Sequence, residues 1–249
     1  MSDSEKIILS APKKMQPMLR SVYDYNIKFI LDENQEKILS RILFEMIKVD
    51  RSYFYEKEEE VYSDTALPIG EGQTISQPST VARMLIIADI HEGDDVLEIG
   101  TGSGWNASLI SFLSYPGNTV SVERIYALTE KAEKNIAALK GNLKQKHPQD
   151  ANNLDKLSMY AENIFEKGKA WKKTYDKIIF TAGMEKGKED KVKKLAECLL
   201  KKNGILICPY SEGPMLILKK VDSKLIESAT KEEYVFVPLL EKGVVKKGK

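Results

Sequence analysis

The 249-residue chain carries 38 basic and 37 acidic side chains for a formal net charge of +1, so no global field draws it to nucleic acid or an anionic membrane. A chain of this length holds one large domain or two modest ones. Two cysteines, Cys198 and Cys208, and two separated histidines, His91 and His147, argue against a disulfide framework, a metal site and a Ser-His-Asp triad.

The chain opens M-S-D-S-E-K, with no basic stretch feeding an apolar one, and no apolar run approaches the ~20 residues of a membrane helix. A cytoplasmic protein with neither membrane nor nucleic-acid partner is therefore expected. Over 34–47, Ile38, Leu39, Ile42, Leu43, Met46 and Ile47 recur at helical spacing and predict a helix with one core face. The residues ahead of it read as a helical addition. Residues 56–62 are acidic and read as an exposed loop, and 67–70 as a turn-rich connection. Ser79, after Pro78, is placed to cap a helix running through Val81, Met84, Leu85 and Ala88 towards Ile90.

From there strands predicted over 95–99, 119–123, 157–161, 175–181 and 204–209 alternate with helices over 106–113, 125–139 and 188–202. That alternation implies an α/β fold with a mostly parallel sheet covered on both faces. The polar stretch 140–153 reads as an exposed excursion, and Asn203-Gly204 as a helix-ending turn. Two strand-like runs over 214–221 and 232–240, joined by a charged segment, predict an antiparallel hairpin at one edge. The basic tail 246–249 reads as a solvated terminus.

Residues 95–105 spell D-V-L-E-I-G-T-G-S-G-W. A strand ending at Gly100, Gly102 and Gly104 before a helix marks a backbone that approaches a ligand at the carboxyl end of a parallel strand. The spacing differs from the G-x-G-x-x-G of pyrophosphate loops. Glu98, ahead of the glycines, would repel a pyrophosphate and attract the cationic amino end of S-adenosylmethionine. Glu123 ends the next strand about 20 residues on, the spacing at which a carboxylate reaches ribose hydroxyls. A ligand-free glycine turn and a solvated strand-end charge are the plainer readings of the same residues.

Three segments together resemble the protein-L-isoaspartate O-methyltransferase family: V-D-R-S-Y-F at 49–54 with G-Q-T-I-S-Q-P at 72–78, the glycine loop, and Y-V-F-V-P-L at 234–239. The resemblance implies a Rossmann-like, doubly wound, seven-stranded mostly parallel sheet with one reversed strand. It also implies methylation of the α-carboxylate of L-isoaspartyl residues in damaged proteins, with S-adenosyl-L-methionine as cofactor. On that pattern residues 1–78 are an N-terminal helical and lid region, packed on a methyltransferase domain over 79–249. Glu98, Gly100, Gly102 and Gly104, with Thr101 and Ser103 between them, line the cofactor. Glu123 holds its ribose, and Glu162 lies near the adenine.

The same resemblance places Thr74 and Ser76 in the lid as the catalytic pair, with Gln73, Ser76 and Ser79 on the acceptor. Ser76 read alone is equally a turn serine bonded to its own backbone. The chain departs from the family at Ala161-Glu162-Asn163, at Ser79, and after Gly183, where no proline follows. Two alternatives stay open: a related methyltransferase with a changed acceptor (a small molecule, a different peptide or RNA), and a non-catalytic module that retains the cofactor cleft.

Overall fold

Val96–Ile99, Thr119–Glu123 and most of Tyr175–Phe180 are apolar or β-branched runs buried on both faces, as the interior of a parallel sheet requires. In the computed structural model, which describes residues 2–166, 168–240 and 243, they form the middle of a seven-stranded sheet. Along the chain the strands are β1 (Leu67–Gly70), β2 (Gln73–Ile75), β3 (Val96–Ile99), β4 (Thr119–Glu123), β5 (Leu157–Ala161), β6 (Tyr175–Phe180), β7 (Leu200–Pro209), β8 (Glu212–Gly213), β9 (Met215–Val221), β10 (Lys224–Ala229) and β11 (Tyr234–Val235). The α-helices are α1 (Asp3–Ser10), α2 (Gln16–Asn26), α3 (Glu33–Lys48), α4 (Pro78–Ala88), α5 (Trp105–Ser114), α6 (Tyr126–Lys146), α7 (Pro148–Ala151) and α8 (Glu189–Leu199).

The sheet order is β10-β9-β7-β6-β3-β4-β5, parallel from β5 through β7 and antiparallel at β7–β9 and β9–β10. The chain leaves β3 for β4 and β5 on one side, then crosses back to β6 on the other. The carboxyl ends of β3 and β6 therefore flank the switch point, where open α/β sheets bind ligands.

Strand alternation sends side chains to opposite faces. Ile178 and Phe180 join Leu97, Val122 and the apolar side of α8, whereas Ile179 and Ile207 join the cluster built on α1 to α6. The stripe predicted on α3 is core: Ile38, Leu39, Ile42, Leu43 and Met46 are buried, each worth about 1.5–3 kcal/mol of burial. The helical addition ahead of it is α1 and α2, whose Ile8, Met18, Leu19 and Val22 enter the same cluster.

Four local expectations are corrected. The cap of α4 comes from Asp64, whose Oδ1 accepts from the Ser79 amide at 2.8 Å, while the Ser79 hydroxyl is buried without a partner. Helix α6 continues to Lys146 and α7 follows, because Leu143, Ala151 and Leu154 bury one side chain per turn in an otherwise polar stretch. Asn203 lies inside β7 at φ +63°, in an irregular stretch opposite β6, not at a helix end. The edge hairpin pairs β9 with β10, the charged segment taken for a turn, and β10 escapes notice because an exposed edge strand needs no apolar alternation. Residues 234–235 pair instead with β8 in a separate small sheet. The basic tail 246–249 lies outside the described residues.

Candidate active site

The glycine loop fills the switch point. Gly100 has φ +105°, and a Cβ there would meet Thr181 Oγ1 at 2.3 Å; Thr181, which ends the β6 turn, donates to the Gly100 carbonyl at 2.6 Å. Gly104 sits at the N-terminus of α5 with φ +89° and packs on Ala132 and Ile136. Over the loop lies the β1–β2 hairpin, close enough that a Cβ on Gly102 would touch Ile69 Cδ1 at 3.6 Å.

A cleft opens between hairpin and loop. Its walls include Gln73, Thr74 and Ser76 from the hairpin, Gly100 to Ser103 from the loop, Glu123, Glu162, Thr181 and the segment from Val237 to Leu240. The sequence thus placed most of its candidates around one space. Gly104, Glu98 and Ser79 do not line it, and Ser79, in the first turn of α4, is 1% exposed.

Glu98 acts from below. Its carboxyl is fully enclosed, accepting from Asn106 Nδ2 at 2.8 Å and from Ser121 Oγ at 2.5 Å, and Ser121 Oγ lies 2.6 Å from Thr101 Oγ1. Asn106 does line the cleft, and its Oδ1 is buried without a partner. Glu98 thus holds the side chain of Asn106 at the cleft wall and does not face the cleft itself. Glu123 lines the cleft and also ties its walls together, accepting from the Gly102 amide at 3.0 Å and the Ile125 amide at 2.9 Å. Glu162 reaches the rim, but its carboxylate accepts from the amides of Lys169 and Ala170.

Burial pushes the Glu98 carboxyl up to about 8 from an ordinary 4.5, and the nearby Glu123 charge adds to that direction. The folded state then holds a proton that the unfolded chain has lost. This stabilisation is fully present below 4.5 and is lost as pH rises through 8. Glu98→Gln, which keeps the shape without the titration, is expected to remove a loss on the order of 5 kcal/mol across that interval. Urea midpoints measured at a series of pH values check this, and parallel curves for variant and wild type would contradict it.

Sequence reasoning did not assign Arg51, Asn106, Thr181 or Val237 to the site. Arg51 is wholly buried and donates to the carbonyls of Val61, Ser63, Thr65 and Ser76, with its guanidinium 5.1 Å from the Trp105 ring centroid. Trp105 packs beneath the loop, its Nε1 donating to the Val49 carbonyl at 3.0 Å. Arg51 lay within the quoted V-D-R-S-Y-F, Asn106 lies in the first turn of α5 just after the glycine loop and Thr181 directly follows β6, so position was the available signal. Val237 lay within the quoted Y-V-F-V-P-L without being assigned to the site.

A second cavity adjoins the first and shares Thr74, Ser76, Thr181 and Val237 with it. Thr74 and Ser76 are two residues apart on one side of β2, and neither hydroxyl has a partner among the described residues. Two spaces thus meet at a pair of free hydroxyls. The sequence profile of the protein-L-isoaspartate(D-aspartate) O-methyltransferase family matches residues 26–244. The chain belongs to this family.

It is 38% identical over 207 residues to the protein-L-isoaspartate O-methyltransferase of Ignicoccus hospitalis, covering 79% of this chain and 87% of the relative. Against the second such enzyme of Archaeoglobus fulgidus it is 35% identical over 211 residues, 82% and 88% of the two chains. In three dimensions it is similar to a Plasmodium falciparum protein described as a protein-L-isoaspartate O-methyltransferase and crystallised with S-adenosyl-L-homocysteine. That likeness has a TM-score of 0.67 at 22% identity, over 89% of this chain and 98% of the other, and shows a common fold. No helix among the described residues is long and apolar enough to cross a membrane.

Proposed function

We propose that the chain transfers a methyl group from S-adenosyl-L-methionine to the α-carboxylate of L-isoaspartyl residues in damaged proteins, as a repair enzyme of the cytoplasm. The observation that carries this reading is the junction of the two cavities at Thr74, Ser76, Thr181 and Val237, within a family of carboxyl methyltransferases. The residues fit the cofactor: the glycine loop leaves space where a Cβ would intrude, Asn106 Oδ1 offers an unpaired acceptor for an ammonium, and Glu123 stands at the end of β4 for the ribose. Glu162 lies on the rim towards the adenine, and residues 1–78 act as helical support and lid for the domain over 79–249.

Bound in the first cleft, the cofactor supplies a methyl group on a sulfonium. A carboxylate acceptor is already ionised at neutral pH, so no general base is needed. The chain's own work is to align the two partners and exclude water, with hydroxyls of Ser76 and Thr74 donating to the acceptor carboxylate without protonating it. Gln73, beside them on β2, contributes to the same wall.

A labelled-donor transfer assay with matched isoaspartyl and aspartyl peptides tests the proposal. An alkali-labile ester on the isoaspartyl peptide alone is expected, and Ser76→Ala should lower kcat/KM about 10- to 100-fold, the worth of one hydrogen bond to a charged group, with donor affinity intact. An alkali-stable product would assign a changed acceptor, and tight donor binding without turnover on any acceptor would assign a binding module.

A further inference from the structure

The second cavity reaches beyond the shared hydroxyls to a wall made by the N-terminal helices and the C-terminal segment. Tyr25, on the last turn of α2 and just ahead of the family match at 26–244, lines it together with Gln77, Thr80, Glu233 and the 84%-exposed Val235. Tyr25 is held in place: its ring lies 5.3 Å from Phe29, and its hydroxyl donates to that of Tyr234 at 3.5 Å. Glu233 is exposed and has no ion-pair partner among the described residues, and no lysine or arginine lines the cavity.

The adjacent corner shows what such a pairing accepts. There the Arg83 guanidinium lies 5.0 Å over the Phe29 ring and pairs with Glu232 at 2.9 Å, with both side chains only 11% exposed. Tyr25 and Glu233 sit one helical turn and one residue away from that ring and carboxylate. They repeat the pair with no lysine or arginine among the described residues that line the groove. A ring face and an unpaired carboxylate in one groove attract a positive charge.

We propose that this groove binds a lysine or arginine side chain neighbouring the isoaspartyl residue of the acceptor, so that the enzyme favours damage sites in basic sequence. The inference rests on the acceptor reading given above. Glu233 supplies the charge, Tyr25 the face, and Ser76 holds the isoaspartyl carboxylate at the other end of the same cavity.

The test uses isoaspartyl peptides identical except for one neighbour, lysine, glutamine or glutamate, placed on either side in turn. For the favoured side, KM for the lysine peptide is expected about fivefold below that for the glutamate peptide, with kcat unchanged and the gap narrowing as salt is raised. Glu233→Gln should flatten the series and Glu233→Lys reverse it; both changes are at an exposed position that leaves folding intact. Tyr25→Phe should keep the preference, and Tyr25→Leu shrink it. Equal KM values on both sides, or an order unaltered in Glu233→Lys, would overturn the inference while the methyltransferase reading stands. Absence of transfer to every peptide would overturn both.

Discussion

Arg51→Met is expected to destabilise the protein on the order of 3–5 kcal/mol, the range for removing one side of a buried charged network. The side chain is 0% exposed, and its four hydrogen bonds tie three carbonyls of one irregular segment, Val61, Ser63 and Thr65, to that of Ser76 after β2. Burial lowers the guanidinium to about 10, so it remains charged at neutral pH and each carbonyl receives a charge-assisted bond. Methionine fills part of the volume and leaves the four acceptors bare. Because Ser76 is one of them, residual folded enzyme should also show a raised acceptor KM. Arg51→Lys should recover only part of the loss, since one ammonium cannot span four acceptors arranged for a planar fork. Urea unfolding of the three proteins checks this; a methionine variant within about 1 kcal/mol of wild type would show that the loop closes without the guanidinium.

Gly100→Ala should abolish cofactor binding at ordinary concentrations, a loss of at least about a hundredfold in affinity, equivalent to about 3 kcal/mol. Two costs coincide there. The φ of +105° is one that side chains rarely adopt, and the new Cβ would lie 2.3 Å from a Thr181 hydroxyl already fixed on the Gly100 and Ile99 carbonyls. Relief requires the loop to lift or β6 to shift, and either one closes the cleft from below. Gly102→Ala is the control: its φ of +53° falls in the left-handed region, its nearest neighbour would be Ile69 Cδ1 at 3.6 Å, and it should cost about 1 kcal/mol. Calorimetric titration of both variants with S-adenosylhomocysteine separates them. Equal affinities would contradict the steric argument.

The sequence revealed the central strands because burial on both faces writes itself as a mostly apolar run, as in Val96–Ile99, where Glu98 is the one polar residue. It revealed the cleft because glycines at alternating positions have no packing use after such a run. It hid β10, whose residues face solvent on an open edge, and the end of α6, where one buried leucine per turn is diluted by lysines. Asp64 and Arg51 were hidden for a different reason. Their work is done on backbone groups distant in sequence, the Ser79 amide and the four carbonyls, and no spacing rule reports such pairings. Glu98 was found as a residue but its placement was not legible: a charge count at the loop cannot tell a carboxyl that faces the cleft from one sealed beneath it and bonded to Asn106.

Everything proposed for this chain depends on the cleft above the glycine loop taking a sulfonium nucleoside. Titration calorimetry of the wild-type protein with S-adenosylmethionine and S-adenosylhomocysteine, beside NAD and ATP, addresses that most directly. Binding of the first two without the others is the predicted result; heat from NAD or ATP, with none from either adenosyl compound, would contradict it.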